Sequence, residues 1–244
     1  MKKVFLVTGF TLLSGVTVFA QKDELKSLKK IYSRSEVSAK DVTEYKNLVQ
    51  KLKPIASEEG DKIYAAFYEA NTPMVEIIAL GQTATPEAMV GLVSPKKISD
   101  FALAATAVLD YEKKLGKKVI TDEILQRYQF AKPLILSYAV GLGEQKQFAG
   151  TSEILYAMYV LDKNDPEKLY FAANYAVNAK DYDTALKYYD ELKRINYSGE
   201  GTAYFATNVA NDREESFNSK ADRDRFVALK THVKPREEKI PSKR

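Results

Sequence analysis

Cysteine is absent from this chain of 244 residues, and so is tryptophan. Without cysteine there is no disulfide, no thiolate metal ligand and no thiol nucleophile, so packing alone must hold the fold. Histidine occurs once, at His232, which excludes a zinc site built on two histidines. A Ser-His-Asp relay would have to use that residue, and the sequence places it beside a charged tail expected not to hold a base in reach of a serine. Glycine is scarce too, with 11 residues, and Gly199 and Gly201 lack the third glycine and preceding strand of a phosphate loop. After residue 20 no run is apolar enough to span a bilayer.

What the first residues do contain is a secretion pattern. MKKVFLVTGFTLLSGVTVFAQ opens on two lysines, continues without charge and closes on Val18-Phe19-Ala20, with small residues at the minus-three and minus-one positions. Residues 1–20 are read as a signal peptide cut between Ala20 and Gln21, leaving a periplasmic or secreted product. Removing Lys2 and Lys3 lowers 37 basic residues to 35, against 33 acidic ones. That small excess supplies no broad field for nucleic acid or anionic lipid. A composition 45% hydrophobic is enough for a sizeable core.

Helical periodicity dominates the rest. Leu25, Leu28, Ile31 and Tyr32 mark one helix face, and after the polar stretch 33–38 the pattern resumes with Val42, Tyr45, Leu48, Val49 and Leu52, stopping before Pro54. Ile63, Ala66, Phe67, Ala70, Val75 and Ile78 predict helix over 61–80, with a kink or break at Pro73. Region 81–98, with Gly81, Pro86, Gly91 and Pro95, is consistent with a short helix between loops. Ser99 is the expected N-cap of a helix to Leu115, and Gly116 its left-handed terminus. Thr121, Asp122 and Glu123 open the next helix, with acidic groups at its positive end.

Sliding the chain against itself by 34 positions pairs Ile135 with Leu169, Ala139 with Ala173, Phe148 with Tyr182, Thr151 with Ala185, Leu155 with Tyr189 and Met158 with Leu192. Small meets small and bulky meets bulky. Such a period is the signature of stacked helical hairpins. Phe148, Thr151, Leu155, Ala173, Tyr182, Ala185, Tyr189 and Leu192 are thus the expected packing residues: close helix approach at Ala173 and Ala185, with Tyr182 and Tyr189 filling the space between hairpins.

These residues resemble the tetratricopeptide (TPR) repeat family. The small pair Ala172-Ala173, the aromatic Tyr182, then Ala185 and Tyr189 follow its pattern, while Ala173, Ala176 and Tyr197 stand where the family has glycine, tyrosine and proline. The likeness covers 134–197, as repeats 134–167 and 168–198, and fades to degenerate hairpins over 22–130. It implies a right-handed α-solenoid, an all-α fold, with a helical repeat domain over 21–198. The whole chain is also similar to the amino-terminal part of secreted or periplasmic TPR proteins of Bacteroidetes type, which implies further repeats beyond it.

Beyond Gly199 the period is lost. Residues 202–217 are expected to form a small β-hairpin or an irregular loop, followed by a short helix, so that 199–230 is an extension and 231–244 a polar tail, truncated if the chain is a fragment.

Few groups suggest chemistry. Ser94-Pro95-Lys96-Lys97 fits S-x-x-K, but no K-T-G follows and Ser27 to Lys30 repeats the pattern by chance. The pairs Asp181/Asp183, Glu214/Glu215 and Glu237/Glu238 read as solvated charge, and Asp162 and Asp165 lack the glycine and distal glutamate of a calcium loop. Asp165 reads instead as an N-cap before Pro166. No catalytic residue, metal or cofactor is therefore expected. The family resemblance implies a concave groove lined by Val140, Glu144, Tyr170, Asn174, Val177 and Asn178 that receives a peptide or partner helix. A non-enzymatic interaction scaffold of the periplasm or cell envelope is the expected function, and a helical glycan-binding protein of the outer membrane the alternative.

Overall fold

A computed structural model describes residues 12–83, 88, 91–217 and 220–242. The protein is mostly helical, with one three-stranded sheet near its carboxyl end. The chain divides into two compact units, the first ending at Leu186 and the second starting at Lys187. The first eleven residues of the expected signal peptide lie outside the described residues.

The first unit begins with α1 (Leu12–Tyr32), α2 (Ala39–Ile55), α3 (Glu59–Ala70) and α4 (Thr72–Leu80). Ser38 opens α2 with a full capping box: its hydroxyl accepts from the Asp41 amide, and the Asp41 carboxylate accepts from the Ser38 amide. The expected break at Pro73 is present: α3 ends at Ala70 and Pro73 falls in the first turn of α4, where its missing N–H costs nothing. Pro54 does not end α2, which runs on to Ile55. A knot of rings fills the space between α1, α2 and α3. Tyr32 meets Phe67 edge-on at 5.4 Å, and Tyr68 meets Tyr45 at 6.2 Å. The Tyr45 hydroxyl donates to the Tyr68 carbonyl at 2.8 Å, which satisfies both groups inside the core.

The next helix, α5 (Pro95–Leu115), starts four residues before the expected Ser99, because Ser94 is the N-cap and accepts from the Lys97 amide at 3.2 Å. Gly116 closes α5 in the left-handed conformation at φ 65°. Then come α6 (Thr121–Glu144), α7 (Phe148–Leu161) and α8 (Pro166–Asn178), with α9 (Tyr182–Arg194) crossing the unit boundary. Within the first unit, α7 packs on α5, α6 and α8. Residues 154–155 and 157–161 of α7 are all buried, which explains a helix apolar on every side.

The second unit holds β1 (Gly201–Asn208), β2 (Arg213–Phe217), α10 (Lys220–Ala228) and β3 (His232–Ile240). The first two strands form the antiparallel hairpin that the sequence suggested. The polar tail is corrected: residues 232–240 are not loose but add a third strand, antiparallel to β1, in the order β2-β1-β3. The tail pairs because ladder bonds need only backbone groups, and its side chains are exposed from Val233 to Lys239. Its charges and Pro235 suit a sheet edge, where they discourage further pairing. Strands make the fold mixed rather than all-α.

Candidate functional site

The 34-residue period seen in side chains recurs in the backbone. Helices α7 and α9 begin at Phe148 and Tyr182, and α6 and α8 end at Glu144 and Asn178. Both intervening turns carry a lysine at positive φ, Lys146 at 59° and Lys180 at 61°. The hydrogen bonds match as well: Gln147 donates to the Leu142 carbonyl at 2.8 Å, and Asp181 to the Ala176 carbonyl at 2.9 Å. This is a left-handed helix terminus that satisfies otherwise orphaned carbonyls, and it is general to the chain, since α9 closes the same way at Asn196, with Tyr197 bonded to the Leu192 carbonyl at 3.0 Å, and α10 at Lys230, with Thr231 bonded to the Phe226 carbonyl at 3.3 Å. The starts differ, since α6 runs through Pro133 and is 24 residues long against 13 for α8.

Close contacts join α6, α7 and α8. The Thr151 hydroxyl lies 3.3 Å from the Ala139 carbonyl of α6, and the Ser152 hydroxyl donates to the Ala172 carbonyl of α8 at 2.7 Å. Both serve helices that approach where side chains are small, and Ala139, Ala172 and Ala173 are buried. Gly143 is half-buried beneath the Tyr175 ring; a Cβ built there would meet the Tyr175 hydroxyl at 3.0 Å. On its other side Tyr175 contacts Phe148, with ring centroids 6.1 Å apart. Neither Ser152 nor the Gly143–Tyr175 contact is singled out by the sequence reading, although a glycine inside a helix signals a close approach.

Of the expected packing residues, Thr151, Leu155, Ala173, Ala185 and Leu192 are buried and Phe148 is half-buried. Tyr182, 64% exposed, and Tyr189, 37% exposed, do not fill a gap between hairpins. Of the expected groove residues, Val140 is 50% and Val177 40% exposed, Glu144 and Asn178 are exposed, and Tyr170 and Asn174 are half-buried. They lie on α6 and α8, the helices that touch at Gly143 and Tyr175. Val140 and Glu144 are on α6 and Tyr170, Asn174, Val177 and Asn178 on α8, two aliphatic side chains among carboxamides, a carboxylate and a phenol. Such a surface can take a backbone through hydrogen bonds and a side chain through apolar contact.

The α7–α8 loop is tied to α6 by charge. Lys132 reaches Asp162 at 3.0 Å and Asp165 at 3.3 Å, and Lys168 reaches Asp165 at 3.3 Å. Asp165 does precede the helix at Pro166, but it makes no side-chain cap and spends its carboxylate on these lysines. Among the described residues no group of three or more histidine, aspartate or glutamate side chains could hold a metal ion. Ser94 of the S-x-x-K pattern is engaged in capping α5.

In the second unit, His232 is 5% exposed and firmly placed, a correction to the expectation that the tail beside it could not hold a base in position. Its Nε2 lies 2.9 Å from Glu215 and its Nδ1 3.1 Å from the Thr231 hydroxyl, with Phe217 and Phe226 edge-on at 5.2 and 5.3 Å. The Thr231 hydroxyl donates to the Phe226 carbonyl at 3.0 Å, so it holds the end of α10 rather than awaiting a substrate. Hydrogen bonds from His232 and then from Asn208 hold the Glu215 carboxyl below its ordinary range. Arg223 of α10, also buried, bonds Asp224 at 2.7 Å and Glu237 at 3.3 Å, pinning the helix to β3.

The chain matches no protein-family model, no curated protein and no solved structure. The likeness to tetratricopeptide repeats is one of residue pattern alone.

Proposed function

We propose that this protein is a non-catalytic interaction scaffold of the periplasm or cell envelope, built as a right-handed α-solenoid of TPR-like hairpins. Its partner is a peptide or helix of another protein, received on the α6/α8 face. The observation that carries this reading is the pairing of buried small-residue contacts, Thr151–Ala139 and Ser152–Ala172, with the exposed Val140 and Val177 on the same two helices. Helices locked behind a mixed exposed face give a rigid platform, which lowers the ordering cost of binding. The export pattern at residues 1–20 supports the location. Among the described residues no helix is long and apolar enough to cross a membrane.

The test compares the native chain with Val140→Asp and Val177→Asp in a pull-down from a cell-envelope extract, alongside a screen of soluble glycans. A protein captured by the native chain and lost with both variants supports the scaffold. Retention of a glycan, with no protein lost in either variant, favours the outer-membrane glycan-binding reading, for which exposed Tyr182 is a ready stacking ring.

A further inference from the structure

Helix α1 runs unbroken from Leu12 to Tyr32, through the expected cleavage point, and carries no acidic residue in its first turn. Its hold on the core starts late: Leu25 packs against the core from its edge, Leu28, Ile31 and Tyr32 are buried, and Lys22 and Asp23 are exposed. One feature of this region is unexplained by the continuous helix. Among the described residues the Glu24 Oε2 oxygen is buried with no hydrogen-bond partner. Such an acceptor is costly to leave unmade.

Glu24 lies three residues after Gln21. Helical side chains lean toward the amino terminus, so this carboxylate covers the turn that contains the Gln21 nitrogen. In the uncut helix that nitrogen is spent on the carbonyl four residues earlier. Hydrolysis of the Ala20–Gln21 peptide bond by a peptidase that requires small residues at minus one and minus three consumes one water, leaving a carboxylate on Ala20 and an ammonium on Gln21. The new terminus then has a free donor at the N-cap position and Glu24 at N3, the spacing of a capping box. Asp23 and Glu24 also become first-turn acids facing the positive end of the helix. We infer that cutting between Ala20 and Gln21 completes α1: the freed Gln21 nitrogen donates to Glu24, whose carboxylate is a built-in cap for the mature terminus.

The inference rests on the export reading, and the two fail separately. The full chain is expressed in a secreting Gram-negative host, and the exported product is sequenced from its amino terminus. A start at Gln21 is expected; a product that retains Met1 overturns the export reading and the cap with it. Thermal unfolding is then compared for Glu24→Gln in the mature protein and in the full-length chain purified from the cytoplasm. The substitution should lower the mature Tm by about 2–4 °C and leave the full-length Tm unchanged. Equal shifts in both forms, or none in the mature form, overturn the cap while processing stands.

Discussion

Removing the charge of Glu112 gives the sharpest test of the helical unit. This carboxylate on α5 is 1% exposed, yet it is surrounded by donors: the amides of Val119 at 2.6 Å, Ile120 at 3.0 Å and Thr121 at 3.1 Å, the Thr121 hydroxyl at 2.7 Å and the Tyr64 hydroxyl at 2.9 Å. Ile120, at the N-cap of α6, cannot cap its own helix, so a carboxylate from the preceding helix does so. Burial pushes the Glu112 carboxyl up, but the bonds from Val119, Thr121, Ile120 and Tyr64 outweigh it and hold the group below its ordinary range. Glu112→Gln keeps the shape, halves the accepting capacity and turns an amide N–H toward other donors. Each buried donor left unmade costs roughly 1–3 kcal/mol, so the variant should lose about 2–4 kcal/mol at neutral pH. Because the folded carboxyl is depressed, its contribution is complete above the unfolded value of about 4.3 and fades as pH falls through the folded value. Urea unfolding followed by helical circular dichroism should therefore show a wide gap between the native protein and the Glu112→Gln variant at pH 7 that narrows in acid. A gap under about 0.5 kcal/mol at pH 7, or one constant with pH, would refute the capping role.

Other expectations follow from single contacts. Gly60→Ala places a Cβ against the Tyr111 hydroxyl and 2.7 Å from its ring, so the ring or the helices around it must shift at a cost of about 1–3 kcal/mol, measured by the same unfolding and relieved by adding Tyr111→Ala. Ser152→Ala leaves the buried Ala172 carbonyl short of a donor and should destabilise by about 1 kcal/mol, whereas an unchanged midpoint would mean that the α7–α8 contact does not depend on it. In the sheet unit, the stabilising Glu215–His232 bond is present above the ordinary carboxylate range and lost as pH falls through the depressed Glu215 value. His232→Phe should shrink that acid limb, leaving the part due to Asn208, seen by hydrogen exchange of β2 and β3 amides from about pH 2 to about pH 6.

Much of the helical architecture is legible in residue spacing, because apolar side chains at intervals of three and four report burial directly. Leu28, Tyr45, Leu52, Phe67, Ala139 and Leu169 are all buried as the pattern requires. The break expected at Pro73 falls at Asn71, between α3 and α4, whereas Pro54, expected to stop α2, lies inside it. The third strand is invisible to a reading of side chains, since Val233, Arg236, Glu237, Glu238 and Lys239 contribute backbone pairing while remaining exposed. Long-range polar work is equally hidden. Nothing near Glu112 in sequence announces that its backbone donors lie seven to nine residues on, or that His232 faces Glu215 across the sheet. The placement of the proposed groove residues on α6 and α8 is readable from the 34-residue period, and the Gly143–Tyr175 contact between those helices is not.

Absence of cysteine makes the most direct measurement simple, because one introduced thiol labels one site. Val177→Cys, carrying a photo-crosslinker on the α8 face, is introduced into the exported protein and irradiated in the intact envelope. A discrete protein adduct at position 177, competed away by unlabelled native chain and missing when the label is moved to exposed Lys113 on α5, is the predicted result. Failure to form any protein adduct at 177, or adducts equally abundant from both positions, would contradict the claim that this face holds a partner.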